Sequence, residues 1–421
     1  MFGNGGAYVV GQGATGFLLG TAGFKFGERL SERVVGCGLE ARSDGKEARF
    51  PMESSPFEAS STLSRLHVTP SLNVLLAVTR AGDDILFELP RRDGAQDQLA
   101  GRLVVYLDQN KWSEISNAFH TPSKVSEASR SAAEKLVQWV VEGGIVLPAS
   151  AGHYSETTKR FDTTKRYSLG LTVLKHSRGW QMRDALQTRR DEIHDGFCQR
   201  SGQLTKVRSA PVFTLSPDAL YSSTARGMQH YAAPTTFEPA QAFATEALVS
   251  ATVSIDTMLD TERIEPGPDT GWADSNQRFS DWLDEQDLDS QQKRKAIDAF
   301  LLSDISAELA EEAHAAALPV DDFHRWILNE AADDIRSFPA LGLFREMLHN
   351  RHLNKGTKWR PNDLTDMVYL SCAAGYADFV VCERHMRDPL THGLRRMGLK
   401  TQVYRHLAEA VDAIEEALAA P

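Results

Sequence analysis

A short apolar run that ends in an acid places the strongest constraint on the fold of this chain. Residues 103–107 read LVVYL, and Asp108 follows them directly. An unbroken apolar run of this length is typical of a strand buried on both faces, as in a parallel sheet. A helical pattern, SAAEKLVQWVVE, and a second strand-like run, IVLP, come next. Strand, helix and strand in this order favour a parallel pair joined by a crossover, so the sequence predicts an α/β domain that starts near residue 101.

The same alternation returns only at the C-terminal end of the chain. There LTDMVYLSCAA and LAEAVDAIEEAL have helical patterns, and DFVVC and TQVY read as strands. The residues between these two stretches show helical patterns broken by Pro and Gly. We therefore expect an α/β core formed by 101–169 and 344–421, interrupted by a large, mainly helical insertion at 170–343. Glycines and short β-leaning runs in 1–98 predict a separate β-rich N-terminal module.

Composition excludes several classes of protein. A chain of 421 residues suggests two or three domains, and no apolar stretch approaches the roughly 20 residues of a membrane helix. The first ten residues lack the features of a secretory signal, so we expect a soluble, cytoplasmic protein without a membrane partner. The four cysteines form no CxxC pair, which fits a reducing compartment and argues against a zinc site.

Charge is unevenly distributed along the chain. The net charge is -11, which taken alone argues against a nucleic-acid partner. Residues 151–210 nevertheless hold 12 Lys and Arg against 6 Asp and Glu, and residues 344–406 hold 11 against 6. The intervening 211–343 hold 8 against 24. Acidity is thus concentrated in one region, while both stretches that carry the candidate site are basic and suited to a phosphate backbone.

Four acids are placed where strands end or helices begin: Asp108, Glu156, Asp366 and Asp378. Open α/β sheets build their sites at the carboxyl ends of strands. Like charges that gather there raise one another's pKa, and a bound divalent cation removes that penalty. Each acid also has a structural explanation, because aspartates in a first helical turn offset the helix dipole and those before a strand belong to turns.

The first half of this pattern resembles the PIN-like nuclease family. VVYLDQN matches the acid at the end of that family's first strand, with Asp108 in the acidic position and Asn110 in the polar position after it. LPASAGHYSET matches the Glu that follows the family's second strand, at Glu156.

The second half of the resemblance lies in the C-terminal stretch. NDLTDMVYLS matches the acid on a later helix, at Asp366, with Asp363 as a second acid on the same face. YADFVVCERHM offers Asp378 before the last strand and Glu383 after it. The commoner family pattern has an Asp after that strand, so the chain departs from it here and the fourth ligand is left open.

The resemblance implies a PIN-like parallel sheet flanked by helices and a nuclease that hydrolyses phosphodiester bonds with Mg²⁺ or Mn²⁺. RNA is the more frequent substrate of the family. The implied metal ligands are Asp108, Glu156, Asp363, Asp366, Asp378 and Glu383. The implied substrate-binding residues are Asn110, Lys159, Arg160, Lys358 and Arg360. Tyrosines and tryptophans between the basic residues, at 154, 167, 180, 359 and 376, are candidates for stacking on bases.

Other interpretations stay open at this point. The enzyme could cleave DNA of a particular structure, or the scaffold could serve a non-catalytic interaction protein whose inserted helices bind a partner, such as a regulatory protein. The glycines Gly11, Gly13 and Gly16 have dinucleotide-binding spacing, but the broken helix pattern after them favours a hairpin. The oligomeric state and the cellular role, whether toxin, defence or processing, are not specified by the sequence.

Overall fold

The structure is a computed structural model, and it describes residues 38–43, 46–51, 62–69, 71–90, 98–216, 219–220, 239–259 and 270–420. The glycine motif at 11–16 and most of the predicted β-rich module lie outside these ranges. The chain divides into two compact units. Unit 1 comprises Met1–Arg102, Trp112–Met182 and Phe213–Gly267, and unit 2 comprises Leu103–Lys111, Arg183–Val212 and Pro268–Pro421.

The chain is α/β, as predicted, with parallel strands and many helices. In the described residues the strands are β1 (Gly38–Ser43), β2 (Lys46–Pro51), β3 (Leu63–Thr69), β4 (Val74–Thr79), β5 (Asp84–Glu88), β6 (Leu103–Leu107), β7 (Ile145–Val146), β8 (Gln181–Met182), β9 (Phe213–Thr214), β10 (Phe379–Val381) and β11 (Gln402–Tyr404). The helices there are α1 (Gln109–His120), α2 (Glu127–Glu142), α3 (Ala151–Thr158), α4 (Thr163–Ser177), α5 (Ala185–Arg200), α6 (Pro239–Leu259), α7 (Trp272–Glu285), α8 (Ser290–Asp304), α9 (Ser306–Ala315), α10 (Val320–Asn329), α11 (Ala331–Ser337), α12 (Pro339–His352), α13 (Asp363–Tyr376), α14 (Arg384–Met397) and α15 (Leu407–Ala419). No helix in the described part of the chain is both long and apolar enough to span a bilayer.

Unit 1 is built on a sheet with the strand order β2-β1-β3-β4-β5. Its strands pair antiparallel except for β1 and β3, which are parallel. Alternate residues of β4 are buried, among them Leu75 and Ala77, because successive side chains point to opposite faces of a strand. Helices α4 and α6 pack against strands of this sheet and against each other. The β strands therefore share one core with helices that lie much later in the sequence.

The predicted domain boundaries differ from these units. The predicted core, 101–169 and 344–421, is divided between unit 1 and unit 2, and the predicted insertion 170–343 forms no unit of its own. The physical reason is packing between distant segments. An added Cβ at Gly170 on α4 would lie 2.5 Å from the Met258 carbonyl oxygen on α6, so these two helices are in close backbone contact. Local patterns do not reveal such contacts.

Unit 2 contains three parallel strands, with β10 between β6 and β11. The β6 residues from Val104 to Leu107 are all at most 2% exposed, which explains their unbroken apolar run. Helices α13 and α15 pack on β10, and α12 packs against α13 and α14. The short strands and the helices around them position the charged residues of the candidate site.

A buried carboxylate joins three helices of unit 2. Glu192 on α5 accepts hydrogen bonds from the Ala340 and Leu341 N–H groups, at 2.6 and 2.9 Å, and from the Tyr376 hydroxyl at 2.7 Å. It thereby satisfies two of the N–H groups that begin α12. Burial raises the pKa of Glu192 to about 7, although all three donors lower it.

Replacing Gly170 with Ala should destabilise unit 1. Alanine favours a helix by about 1 kcal/mol over glycine, but the added methyl group would meet the Met258 carbonyl oxygen, and such overpacking typically costs about 1–3 kcal/mol. Urea unfolding followed by circular dichroism measures the difference. Thr164→Ala, at an exposed position on the same helix, is the control and should not lower stability. Equal stability of Gly170→Ala and the wild type would contradict the close contact.

Glu192 should make unit 2 less stable as the pH rises. Its folded pKa of about 7 lies above the ordinary value of 4.5, so the folded state holds the proton more tightly. The resulting stabilisation is fully present below about pH 4.5 and is lost as the pH rises through about 7. The difference between the two pKa values of Glu192 corresponds to roughly 3 kcal/mol in the free energy of unfolding. Urea unfolding at pH 5 to 8 should show a free energy of unfolding that falls with pH in the wild type and falls less in Glu192→Gln. Equal slopes in the two proteins would exclude this contribution of Glu192.

Candidate active site

The candidate site lies at the carboxyl edge of the three parallel strands of unit 2. The Asp108 N–H, directly after β6, donates to the Val381 carbonyl at the end of β10, at 2.9 Å. The Cys382 N–H donates to the Tyr404 carbonyl at the end of β11, at 3.0 Å. Parallel pairing thus ends the three strands at the same level. It brings Asp108 and Glu383 to one edge from distant parts of the sequence.

Asp108 occupies an environment that disfavours its negative charge. Burial raises its pKa above the ordinary value of 3.8. The Gln109 N–H donates to Asp108 Oδ1 at 2.8 Å and lowers the pKa, while the like charge of Glu383 raises it further. The Glu383 N–H and the charge of His385 also lower it, but the net direction is upward. A nearby cation would favour the ionised form.

His385 lies between two carboxylates at this edge. Its Nδ1 is 3.2 Å from Glu383 Oε2, and its Nε2 is 3.9 Å from Asp366 Oδ2. Asp366 comes from the first turn of α13, and both other residues come from the segment after β10. The side chains of His385 and Glu383 are 42% and 50% exposed, so the edge is open to a dissolved substrate. An imidazole held by two acids can accept and release protons.

The donor set at this edge suits a hard divalent cation in its chemistry, because Asp108, Asp366 and Glu383 offer carboxylate oxygens. The arrangement itself is not that of a formed metal centre. Within the described ranges, no three His, Cys, Asp or Glu side chains are grouped as ligands of one ion. The carboxylates of Asp366 and Glu383 are instead grouped around the His385 ring.

Further polar groups surround Asp108. The Asn110 side-chain oxygen is buried and has no hydrogen-bond partner among the described residues. Such an atom costs free energy unless a ligand or water satisfies it.

The Cys382 thiol lies in the field of several charged groups. The charges of Lys111 and Arg387 lower its pKa, and the charge of Asp108 raises it. Burial is the main cause that raises the pKa of Cys382, so this thiol is a weak nucleophile.

Asp363, a predicted metal ligand, has a structural role. It is 2% exposed, and its Oδ2 accepts hydrogen bonds from Arg351 at 2.5 Å and from the Arg360 N–H at 2.7 Å. Arg351 in turn stacks over the Trp359 ring at 4.4 Å. Asp363 thus ties the loop before α13 to its first turn. Its Oδ2 is used in this way, and its assignment as a metal ligand stays a prediction.

Asp378, another predicted ligand, lies at the opposite edge of the strands. Its Oδ2 accepts the Val104 N–H at 2.7 Å, and its own N–H donates to the Val104 carbonyl at 3.1 Å. Because it precedes β10 by one residue, it lies roughly 13 Å along the strand direction from the level of Asp108. The structure therefore brings Glu383, and not Asp378, to the Asp108 edge. The assignment of the fourth ligand stays a prediction, and the strand register favours Glu383 for it.

Glu156 belongs to unit 1, where it lies on α3. Its charge acts on Lys159 and Arg160, raising the pKa of each against the larger, lowering effect of burial. Arg160 also donates to the Ser113 hydroxyl at 2.7 Å. The predicted substrate-binding pair is therefore partly buried beside an acid.

The other predicted substrate-binding residues, Lys358 and Arg360, are exposed in the segment before α13.

The five aromatic residues predicted to stack on bases have partners within the fold. Tyr376 donates to Glu192, Tyr167 donates to Asp83 at 3.0 Å, and Trp180 donates to Glu88 at 3.0 Å. Trp359 is buried beneath Arg351, and Tyr154 is hydrogen bonded to Ser254. Four of these rings are buried or half-buried, while Tyr376 is 38% exposed, and base stacking stays a prediction.

Sequence reasoning missed several residues at the carboxyl edge. The site residues predicted from the sequence include neither His385 nor the arginines Arg384, Arg387 and Arg405. Arg384 and Arg387 begin α14 and Arg405 follows β11, and all three are exposed. The signal was their position directly after predicted strands, which is the rule that selected Asp108.

Comparison with known proteins provides no relative. No protein-family model, curated protein or solved structure matches this chain.

Replacing Asp363 with Asn should destabilise the fold. The side chains of Arg351 and Asp363 are 11% and 3% exposed, and breaking a buried pair costs about 3–5 kcal/mol because it leaves an uncompensated charge. Urea unfolding measures this loss. Asp366→Asn is the matched control on the same helix turn and should lose much less, since Asp366 is 24% exposed. A wild-type unfolding midpoint for Asp363→Asn would restore Asp363 as a candidate ligand.

Proposed function

We propose that this protein is a PIN-like nuclease that hydrolyses phosphodiester bonds, with RNA as its substrate. The observation that supports the proposal best is the convergence of Asp108, Asp366, Glu383 and His385 at the carboxyl edge of parallel strands in unit 2. Three of these four residues are acids that the family resemblance implies. Of the six acids that the resemblance implies, these three support the proposal.

The proposed cofactor is Mg²⁺ or Mn²⁺, held by Asp108, Asp366 and Glu383. Such an ion would supply positive charge that activates water and stabilises the leaving oxygen. Two observations on the chain fit an ion at this place: burial raises the pKa of the Asp108 carboxyl, and the Asn110 oxygen is buried without a partner. Both groups would gain from a neighbouring cation.

His385 is the residue proposed to move a proton. Its ring nitrogens lie 3.2 Å from the Glu383 carboxylate and 3.9 Å from the Asp366 carboxylate, so the imidazole is placed between two acids. The ring is exposed enough to reach water or a substrate oxygen. Proton transfer of this kind typically contributes about 10²–10⁴-fold to a rate.

Exposed arginines at the same edge would hold the phosphate backbone. Arg384, Arg387 and Arg405 lie next to the ends of β10 and β11, and Lys358 and Arg360 lie before α13. Guanidinium groups form paired hydrogen bonds with phosphate. Affinity for RNA should therefore fall steeply with salt.

One observation favours a second candidate function, a non-catalytic interaction protein on the same scaffold. No ligand group for a metal is formed in the described parts of the chain, and His385 satisfies part of the acidic edge. Such a protein would show no cleavage at any Mn²⁺ concentration. The remaining alternative is a DNA nuclease. Parallel cleavage assays on RNA and on single-stranded DNA distinguish it from a ribonuclease.

Replacing Asp108 with Asn should lower metal-dependent RNA cleavage by roughly 100-fold or more, the scale for removing one preorganised charged group. Asp366→Asn and Glu383→Gln should have similar effects. Cleavage of a mixed RNA pool is measured against Mn²⁺, Mg²⁺ and EDTA. Retained activity in Asp108→Asn would remove this edge from the reaction.

Matched variants complete this experiment. Asp412→Asn removes an exposed acid from α15 and should leave cleavage unchanged. Asp378→Asn should also retain cleavage, because Asp378 lies at the opposite edge; loss of activity with a wild-type circular dichroism spectrum would favour the original assignment. Glu156→Gln, measured in the same cleavage assay, tests the prediction from the sequence that Glu156 is a catalytic metal ligand.

A further inference from the structure

A second charged cluster of unit 2 surrounds a cavity of about 320 Å³. The cavity is lined mainly by four arginines and a histidine, together with two acids and one alanine: Arg294, Arg336, Arg345, Arg396, His349, Asp333, Glu346 and Ala332. These residues come from α8, α11, α12 and α14. Arginines concentrated in one cavity are unfavourable unless anions compensate them.

The acids present do not fully compensate the arginines. Four guanidinium groups face Asp333, Glu346 and the neighbouring Asp298, which leaves a surplus of one positive charge. Glu346 is shared between Arg345, at 3.2 Å, Arg396, at 3.1 Å, and Arg294, at 4.0 Å. Burial, followed by the like charge of Arg396, lowers the pKa of Arg294. An anionic ligand would relieve this repulsion.

The floor of the cavity is preorganised. Arg345 forms a bidentate pair with Asp298, at 2.6 and 2.8 Å. His349, which is 1% exposed, donates from Nε2 to Asp298 at 2.8 Å and accepts at Nδ1 from Arg294 at 2.7 Å. This chain from Asp298 through His349 fixes the direction of the Arg294 guanidinium. Little side-chain entropy remains to be lost when a ligand binds.

The rim of the cavity retains hydrogen-bond donors. The hydrogen bonds of Arg294 and Arg336 among the described residues each use one terminal nitrogen, to His349 and to the Arg396 carbonyl at 3.1 Å. A guanidinium has five N–H donors, so the remaining donors of both groups can bind a ligand. Their fork geometry matches phosphate oxygens.

We propose that this cavity binds a small phosphate-bearing anion. Its volume is at the lower end for ligand sites, which favours a small metabolite over a polymer. Ala332 is its one apolar lining residue, so the part of the ligand beyond the phosphate should be polar, as in a sugar phosphate.

This site is distinct from the candidate active site, although α14 contributes to both. His385 lies at the start of that helix and Arg396 near its end. Eleven residues of helix separate them by roughly 16 Å. Ligand binding at the arginine cavity therefore does not depend on the proposed nuclease reaction, and the two proposals can fail separately.

The experiment is isothermal titration of the full chain with inorganic phosphate and with ribose 5-phosphate, at constant ionic strength, with ribose as the uncharged control. We expect either phosphate compound to bind and ribose not to bind. Tighter binding of the ester would identify a sugar phosphate as the ligand class, and tighter binding of inorganic phosphate would identify the free anion. Absence of heat and of any thermal shift with both compounds at millimolar concentration would overturn the proposal.

Variants locate the binding. Arg294→Gln and Arg336→Gln should each weaken phosphate binding at least about tenfold, because a charge-assisted donor pair is lost. Arg325→Gln, which removes an exposed arginine paired with Asp322 outside the cavity, should bind as the wild type does. Asp108→Asn should also bind normally. Unchanged affinity in both cavity variants would place the bound phosphate elsewhere and refute the site.

Discussion

The parallel pairing of β6 with β10 is the interaction on which unit 2 and its candidate site depend. It joins Val105 to Phe379 and Leu107 to Val381, residues that are more than 270 positions apart in the chain. Closing so long a loop costs conformational entropy, although the cost grows only slowly with loop length. The apolar side chains of both strands are buried, which offsets that cost. Every charged group at the strand ends takes its position from this register.

The two ends of the pairing show why one residue type has two roles. At the amino edge, Asp378 receives the Val104 N–H, so its carboxylate replaces a backbone partner and extends the pairing. At the carboxyl edge, Asp108 is buried near Glu383, and the nearby N–H groups do not prevent a raised pKa. The first acid is satisfied by the fold. The second remains in an environment that a proton or a cation would improve.

The sequence predicts those features that depend on neighbouring residues. LVVYL could be identified as a buried strand, and Asp108 and Asp366 could be selected, because apolar periodicity and strand ends are local signals. The contacts of Asp363 could not be predicted, since they depend on Arg351 and on the stacking of that arginine over Trp359. The compact units differ from the predicted domain boundaries for the same reason: the contact between Gly170 and Met258 joins segments that no local pattern relates. The acid after β10 was recognised, but placing Glu383 rather than Asp378 beside Asp108 required the strand register.

Unit 2 holds two charged clusters near the two ends of one helix. Near the start of α14, Asp366 and Glu383 share the single imidazole of His385. Near its end, Arg345 and Arg396 share the carboxylate of Glu346. Charges roughly 16 Å apart, the distance that the helix sets, interact weakly across water, because their attraction falls with distance and is screened by salt. The two proposed ion sites should therefore bind their ions independently of each other.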